Sequence, residues 1–103
     1  MTTTLTRFDP MEHLDTNADH IDLLNDALAT RNPRVVINAV AEIARDRGMT
    51  KLAQQAGIGR SSLYNALADD GNPTIETIMK VLDALQIELR ATGIERVSKA
   101  AAG

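Results

Sequence analysis

The first third of the chain carries apolar residues at intervals of three and four, which is the spacing of one helical face. Ile21, Leu24 and Leu28 predict a first helix over about residues 18–30. The residues before it are candidate N-caps, because their side-chain oxygens can accept hydrogen bonds from free backbone N–H groups: Asp15, Thr16 and Asn17. Residues 1–17 are then an N-terminal arm or a short helix, which Asp9-Pro10 would begin.

A second helix is marked at both ends. Asn32 is its predicted N-cap, and Pro33 takes the first helical position, where the missing N–H costs nothing. Arg45 and Arg47 occupy the last turn, and Gly48 follows them. The face expected to be buried consists of Val36, Val40 and Ile43, with Ala39 and Ala44 beside it.

Three more helices and one strand are predicted in the second half of the chain. The helices cover residues 50–57, about 59–68 and about 74–85, with Thr74 as the last N-cap. The inner face of the last helix is expected to comprise Ile75, Ile78, Leu82 and Leu85. Beyond it, Ile87, Leu89 and Ala91 alternate with polar residues, the period of a short β-strand. The pattern predicts an all-α, five-helix domain over residues 18–91, with a short C-terminal β-strand and a tail at 92–103.

Residues 50–68 meet the requirements of a helix-turn-helix, in which two helices cross closely around a tight turn. Ala53 is small enough for the contact, Gly57 suits the left-handed backbone of the turn, and Ile58 fills the corner. Leu63 and Leu67 face the core. The outward face of the second helix is polar: Arg60, Ser61, Ser62, Tyr64 and Asn65. An ordinary helical hairpin that ends in glycine is the alternative.

The net charge of −3 is unevenly distributed along the chain. Residues 1–30 carry one base and six acids, residues 31–68 carry six bases and two acids, and residues 69–103 carry four bases and six acids. A phosphate-facing surface needs local positive charge rather than a basic whole, so the middle segment favours DNA binding. Ordinary variation over a mixed surface explains the same local excess equally well.

Each candidate DNA contact has a chemical reason and a plainer alternative. Arg60 can pair bidentately with guanine or clamp a phosphate, and Asn65 can pair with adenine or be solvated. Tyr64 can lie on the sugar–phosphate backbone or pack half-buried. The two serines of this face can reach bases or phosphates, although Ser62 can equally be a helix residue without a ligand. Thr50 can meet a phosphate at the N-terminus of its helix or simply cap that helix.

A single recognition helix reads only about four base pairs, so useful specificity requires a dimer on a palindromic site in double-stranded operator DNA. The alternating segment is the candidate homodimer interface, because a lone strand needs a partner: Ile87, Leu89 and Ala91. Packing of this segment against its own core is the alternative.

Composition excludes several classes of protein. The chain has no cysteine, which rules out disulfides, thiolate metal sites and cysteine nucleophiles. His13 and His20 lie in an acidic segment expected to be a polar surface helix or turn, and two histidines are too few for a metal cluster. Without a Ser/His/acid spacing or a phosphate loop, we expect no enzyme and no cofactor. No run of about 18 apolar residues and no signal peptide is present, so a cytoplasmic protein is expected.

Residues 48–85 resemble the lambda-repressor-like, or XRE-type, helix-turn-helix family. The wider pattern, over roughly residues 8–91, resembles the addiction-module antidote proteins, close to HigA-type antitoxins. The matching pieces are Phe8-Asp9-Pro10 with His13-Leu14-Asp15, Ile43-Ala44-Arg45 with Arg47-Gly48-Met49-Thr50, Leu63-Tyr64-Asn65-Ala66-Leu67, and Gly71-Asn72-Pro73-Thr74 followed by Lys80-Val81-Leu82. The most specific piece is Gly71 to Thr74. Gly59-Arg60-Ser61 departs from the family's frequent pattern of a small hydroxyl residue, an arginine and an acid, which leaves the operator sequence open.

The resemblance implies an antitoxin that binds a small basic RelE/ParE-like toxin and represses its own operon. The alternatives are a free-standing XRE-type transcriptional regulator without a toxin partner, or an interaction module that has lost DNA binding. The acidic segment from Asp9 to Asp26 could cover a basic toxin surface, or it could be the solvated outer face of the first helix.

Overall fold

The described residues form helices that pack around one aliphatic core. A computed structural model describes the backbone of residues 10–94 and the side chains of residues 18–94. Five α-helices occupy this range, as predicted, and it contains no β-strand. Their bounds are α1 Pro10–Ala29, α2 Pro33–Arg47, α3 Met49–Ala56, α4 Arg60–Ala66 and α5 Ile75–Ala84.

The first helix is longer than the sequence pattern predicted. It begins at Pro10 rather than near residue 18, and it continues through the candidate N-caps at positions 15–17. Proline is favourable in the first helical turn, and the polar residues behind it cost only a fraction of a kcal/mol each inside a helix. A capping residue therefore marks a helix start only where the chain before it is not already helical. The division into an arm at 1–17 and a domain from 18 stays a prediction.

Helix α2 is the central element, and its predicted ends are confirmed. The Asn32 side chain accepts a hydrogen bond from the backbone N–H of Arg34 at 2.9 Å, and Pro33 opens the helix. At the other end Gly48 has a φ of +104°, and its N–H donates to the carbonyls of Ala44 and Arg45. An N-cap of this kind contributes about 1 kcal/mol to helix stability.

The core forms where α2 meets the helices on either side of it. Val40, Ile43 and Ala44 are completely buried along one face of α2. The other helices and the residues that directly follow them contribute the remaining large apolar side chains of the core: Leu24, Met49, Leu52, Leu63, Leu67, Val81, Leu82 and Leu85. Burying an aliphatic side chain stabilises the fold by about 1.5–3 kcal/mol relative to exposure, so this cluster supplies the main driving force for folding.

Three residues of the predicted apolar helix faces are exposed. Ile75 is 72% exposed, although it shares a helical face with the buried Leu82. The other predicted positions of that face, Ile78, Leu82 and Leu85, are partly or fully buried, so only its first position is left uncovered. On α1, Ile21 and Leu28 are 42% and 39% exposed. Leu24 is buried as predicted, together with His20 and Ala27. On α1 the apolar spacing was correct for a helix, but it did not give the angle at which the helix lies on the core.

The predicted β-strand is absent. Residues 87–94 run without regular secondary structure, because no second strand lies beside them in residues 10–94 to complete a ladder. Ile87 is partly buried against the core, whereas Leu89 and Ala91 are exposed.

The chain enters this segment through Gln86, whose φ of +63° ends α5. The N–H of Gln86 donates to the Asp83 carbonyl, and the N–H of Ile87 donates to the Leu82 carbonyl at 2.9 Å. Both bonds belong to a Schellman motif, in which the left-handed position is more often glycine.

Candidate nucleic-acid interface

Helices α3 and α4 form the predicted helix-turn-helix. Gly57 has a left-handed backbone with a φ of +71°, and the N–H of Ile58 donates to the Ala53 carbonyl at 3.0 Å. Ala53 is buried at the crossing of the helices, and Ile58 is partly buried against the core. The three residues therefore have the structural roles that their spacing predicted.

Helix α4 presents a polar face to solvent. Its inner side is anchored by Leu63, which is fully buried, and by Leu67 just beyond the helix. All five predicted contact residues on this helix are exposed: Arg60, Ser61, Ser62, Tyr64 and Asn65. Arg60, Ser61, Tyr64 and Asn65 line one shallow concavity, which can meet the edge of a flat ligand such as a base pair.

Arg60 and Tyr64 are neighbours one helical turn apart. The guanidinium carbon of Arg60 lies 5.6 Å from the centre of the Tyr64 ring, a cation–π distance. Tyr64 is 44% exposed, so part of its ring lies on the surface and part is covered, which agrees with either interpretation of this residue. The contact limits the rotamers of Arg60 while leaving its N–H donors free to bind a ligand.

Thr50 lies in the first turn of α3 and does not cap it. The N-cap position is Gly48, and no side chain accepts from the first N–H groups of this helix. Those groups have no intrahelical partner, and Thr50 itself is exposed beside them. The capping interpretation of Thr50 is therefore wrong. The interpretation that remains is an exposed hydroxyl that could meet a phosphate at an uncapped helix end.

The C-terminal end of α4 is held by a contact that the sequence pattern did not predict. Gly71 is buried, and a Cβ added there would collide with the backbone carbonyl oxygens of Asn65 and Ala66. Arg34 reaches across from the start of α2 and donates to the carbonyls of Gly71 and Ala68. We call this arrangement the Arg34 clamp. The clamp fixes the end of α4 to α2. Arg34 and the two carbonyls are 34 to 37 residues apart in the sequence, so no local sequence pattern indicated the contact.

The basic residues of segment 31–68 do not form one continuous positive surface. Arg34 is engaged in the clamp, and the Nη2 of Arg47 donates to the Leu85 carbonyl at 3.1 Å. Arg45 lies in a cleft that Asp19, Glu42 and Asp46 also line. The bases exposed on the helix-turn-helix itself are Lys51 on α3 and Arg60 on α4. The candidate interface is therefore only modestly basic.

His20 is not the polar surface residue that the sequence suggested. Only 7% of it is exposed, and its Nε2 lies 2.8 Å from Oδ2 of Asp46, a hydrogen bond in which the ring N–H donates. The bond joins α1 to α2, so His20 stabilises the packing of these helices. Within residues 18–94, no cluster of His, Asp and Glu side chains is arranged to hold a metal ion. Among the helices described, none has the length and apolarity needed to cross a membrane.

The fold and this exposed polar face define a small all-α domain built around a helix-turn-helix. Residues 4–93 match the family described as "Probable addiction module antidote protein", and the chain belongs to that family. The family implies a toxin as partner. A protein of Haemophilus influenzae described as "Uncharacterized protein" is 44% identical over 91 residues, which cover 87% of this chain and 93% of that protein. No solved structure matches the chain significantly.

Proposed function

We propose that this protein is a DNA-binding antitoxin of a type II toxin–antitoxin module, which neutralises a small basic RelE/ParE-like toxin and represses its own operon. Membership of the antidote family carries the antitoxin part of the proposal. The exposed polar face of α4, on a helix-turn-helix, supports the DNA-binding part. No catalytic step or cofactor is invoked, and the cytoplasm is the compartment in which such a protein meets DNA.

The side chains on the helix-turn-helix suit double-stranded DNA. Arg60 can donate two hydrogen bonds to guanine, and Asn65 can pair bidentately with adenine. Tyr64 would lie along the backbone, while Ser61 and Ser62 would reach bases or phosphates. Thr50, with the free N–H groups at the start of α3, would receive a phosphate oxygen.

Operator recognition by one short helix requires a homodimer. The dimer interface is proposed at the segment that contains Ile87, Leu89 and Ala91. Leu89 and Ala91 are exposed and accessible to a second copy, whereas Ile87 is partly buried and would support the segment from beneath. In a dimer the segment would acquire the neighbouring strand that a single chain lacks.

Two measurements on one preparation test the proposal. The chain is co-expressed with the product of the adjacent gene, and the purified protein is then titrated onto the DNA upstream of both genes in a gel shift. Arg60→Ala is expected to weaken the shift at least tenfold. Lys80→Ala removes an exposed positive charge on α5, outside both the helix-turn-helix and the proposed dimer segment, so it serves as the matched control and leaves the shift unchanged. A shift without a co-purifying partner would identify a free-standing XRE-type regulator. Absence of both would refute the proposal.

A further inference from the structure

Arg60 is the basic side chain of α4, and an aromatic ring rather than a carboxylate lies beside it. Among residues 18–94, no carboxylate lies within salt-bridge distance of Arg60. Its guanidinium carbon lies 5.6 Å from the centre of the Tyr64 ring. A long, flexible arginine loses rotamer freedom when it binds a ligand, and a contact that already restricts it in the free protein reduces that loss. The Tyr64 ring therefore prepares Arg60 for binding.

The geometry of the helix explains why these two side chains meet. Tyr64 follows Arg60 by four residues, so both lie on the same side of α4. Side chains on a helix lean towards its N-terminus, which brings the Tyr64 ring back over the turn that carries Arg60. The ring has only two side-chain torsions and is partly covered, so it offers the guanidinium a nearly fixed surface.

A guanidinium held in one orientation suits a base better than it suits a phosphate. Bidentate pairing with guanine requires two N–H groups of Arg60 to align with two acceptors at the edge of the base. A phosphate can be bound by a point charge such as that of lysine, which needs no such alignment. Arg60 and Tyr64 line the same concavity as Ser61 and Asn65, so the restricted guanidinium lies where the edge of a base pair would enter. The contact therefore favours guanine as the ligand of Arg60.

We propose that Tyr64 determines specificity through Arg60, because its ring holds the guanidinium in the orientation that pairs with a guanine in the major groove of the operator. Tyr64 is then a positioning residue for this contact. The inference rests on the DNA-binding function proposed above and deepens it, since it gives the ring a role besides the backbone contact of Tyr64. The ring and the hydroxyl of Tyr64 therefore have separable effects on binding.

Two substitutions at position 64 separate the ring from the hydroxyl. Tyr64→Phe keeps the ring and removes the hydroxyl, whereas Tyr64→Leu keeps an apolar side chain that can pack and removes the ring. The full-length chain first selects its preferred site from randomised duplexes, and the guanine of interest is the one whose preference Arg60→Ala abolishes. Fluorescence anisotropy then gives the dissociation constants of duplexes that carry guanine, adenine or 7-deazaguanine at that position. Lys80→Ala on α5 is the control, and 7-deazaguanine removes only the N7 acceptor.

We expect the unaltered chain to prefer guanine over adenine about tenfold or more, and 7-deazaguanine to weaken its binding several-fold. Tyr64→Leu should lower the guanine preference about two- to fivefold, the size of a cation–π contact at a partly exposed site. Tyr64→Phe and Lys80→Ala should leave the preference unchanged, and Tyr64→Leu should not alter it in the Arg60→Ala background. In NMR spectra of the free chain, the side-chain protons of Arg60 should be shifted upfield by the ring, and Tyr64→Leu should remove this shift.

Several results would overturn the inference. They are a site in which no guanine depends on Arg60, equal weakening of the guanine and adenine duplexes by Tyr64→Leu, and a loss of preference in Tyr64→Phe as large as in Tyr64→Leu. A further loss of preference from Tyr64→Leu in the Arg60→Ala background would do the same. Unshifted Arg60 protons in the unaltered chain overturn it without any variant. Failure of the unaltered chain to select any sequence refutes the DNA-binding function itself, which is a different result.

Discussion

Gly71 offers a direct test of how the end of α4 is held. A methyl group at this position would enter the space occupied by the carbonyl oxygens of Asn65 and Ala66, which belong to the last turn of the helix. Neither oxygen can move without displacing the helix backbone. Gly71→Ala is therefore expected to lower the free energy of unfolding by about 2–4 kcal/mol, which is typical of overpacking that shifts the main chain. In a domain of this size, that loss lowers the melting temperature by about 10–20 °C.

Thermal unfolding followed by circular dichroism measures the effect, and Gly93→Ala is the matched control. Nothing lies within 4 Å of a Cβ at Gly93, so this variant should remain within about 0.5 kcal/mol of the unaltered chain. Below both melting temperatures, Gly71→Ala should also shift upstream DNA less well than Gly93→Ala, because the last turn of α4 is displaced. A melting temperature for Gly71→Ala within 2 °C of the Gly93→Ala control would refute the steric argument.

Four further outcomes are expected. Arg34→Ala should lower the free energy of unfolding by about 1–3 kcal/mol in denaturant titrations, because two carbonyls lose a charged donor. Arg34→Lys should recover only part of this loss, since lysine lacks the forked guanidinium that reaches both carbonyls. Full recovery by lysine would count against the clamp. His20→Ala should cost about 1–2 kcal/mol through lost packing and the lost bond to Asp46, whereas Asp46→Asn, at a largely exposed side chain that still accepts, should be nearly neutral. Gln86→Gly should raise stability by about 0.5–1 kcal/mol by relieving the left-handed backbone, and Gln86→Ala should give no such gain. Finally, operator affinity should depend only weakly on salt. A plot of the logarithm of the binding constant against the logarithm of salt concentration should have a slope of about −2 to −4, because the helix-turn-helix exposes few basic side chains. A slope near −10 would require a much larger basic surface.

Features set by neighbouring residues were predictable from the sequence. The Asn32-Pro33 start of α2, its Gly48 end and the turn at Gly57 each depend on chemistry within four residues, and all three are confirmed. The polar face of α4 was likewise predictable, because Leu63 and Leu67 define the opposite side of a short helix. Such local signals survive folding because the backbone geometry they encode does not depend on distant contacts.

Features set by packing between distant segments were not predictable in the same way. Ile75 has correct helical spacing and shares a face with the buried Leu82, yet it is exposed, because distant contacts decide how far along α5 the core extends. His20 was predicted to be a surface residue because its sequence neighbours are acidic. Its position depends instead on the packing of α1 against α2, which places Asp46 beside it. The role of Arg34 could not be predicted for the same reason: its charge was counted towards a DNA-binding surface, but its guanidinium binds the carbonyls of Ala68 and Gly71.

The peripheral position of α1 has a consequence for how the protein opens. Helix α1 packs mainly on α2, while α3 contacts α2, α4 and α5 around the core. Local unfolding of α1 would therefore expose one flank of α2 but leave the helix-turn-helix assembled, so the backbone amides of α1 should exchange with solvent through smaller openings than those of α2. A partner bound on α1 would suppress that opening, and slowed hydrogen exchange confined to α1 would report its binding.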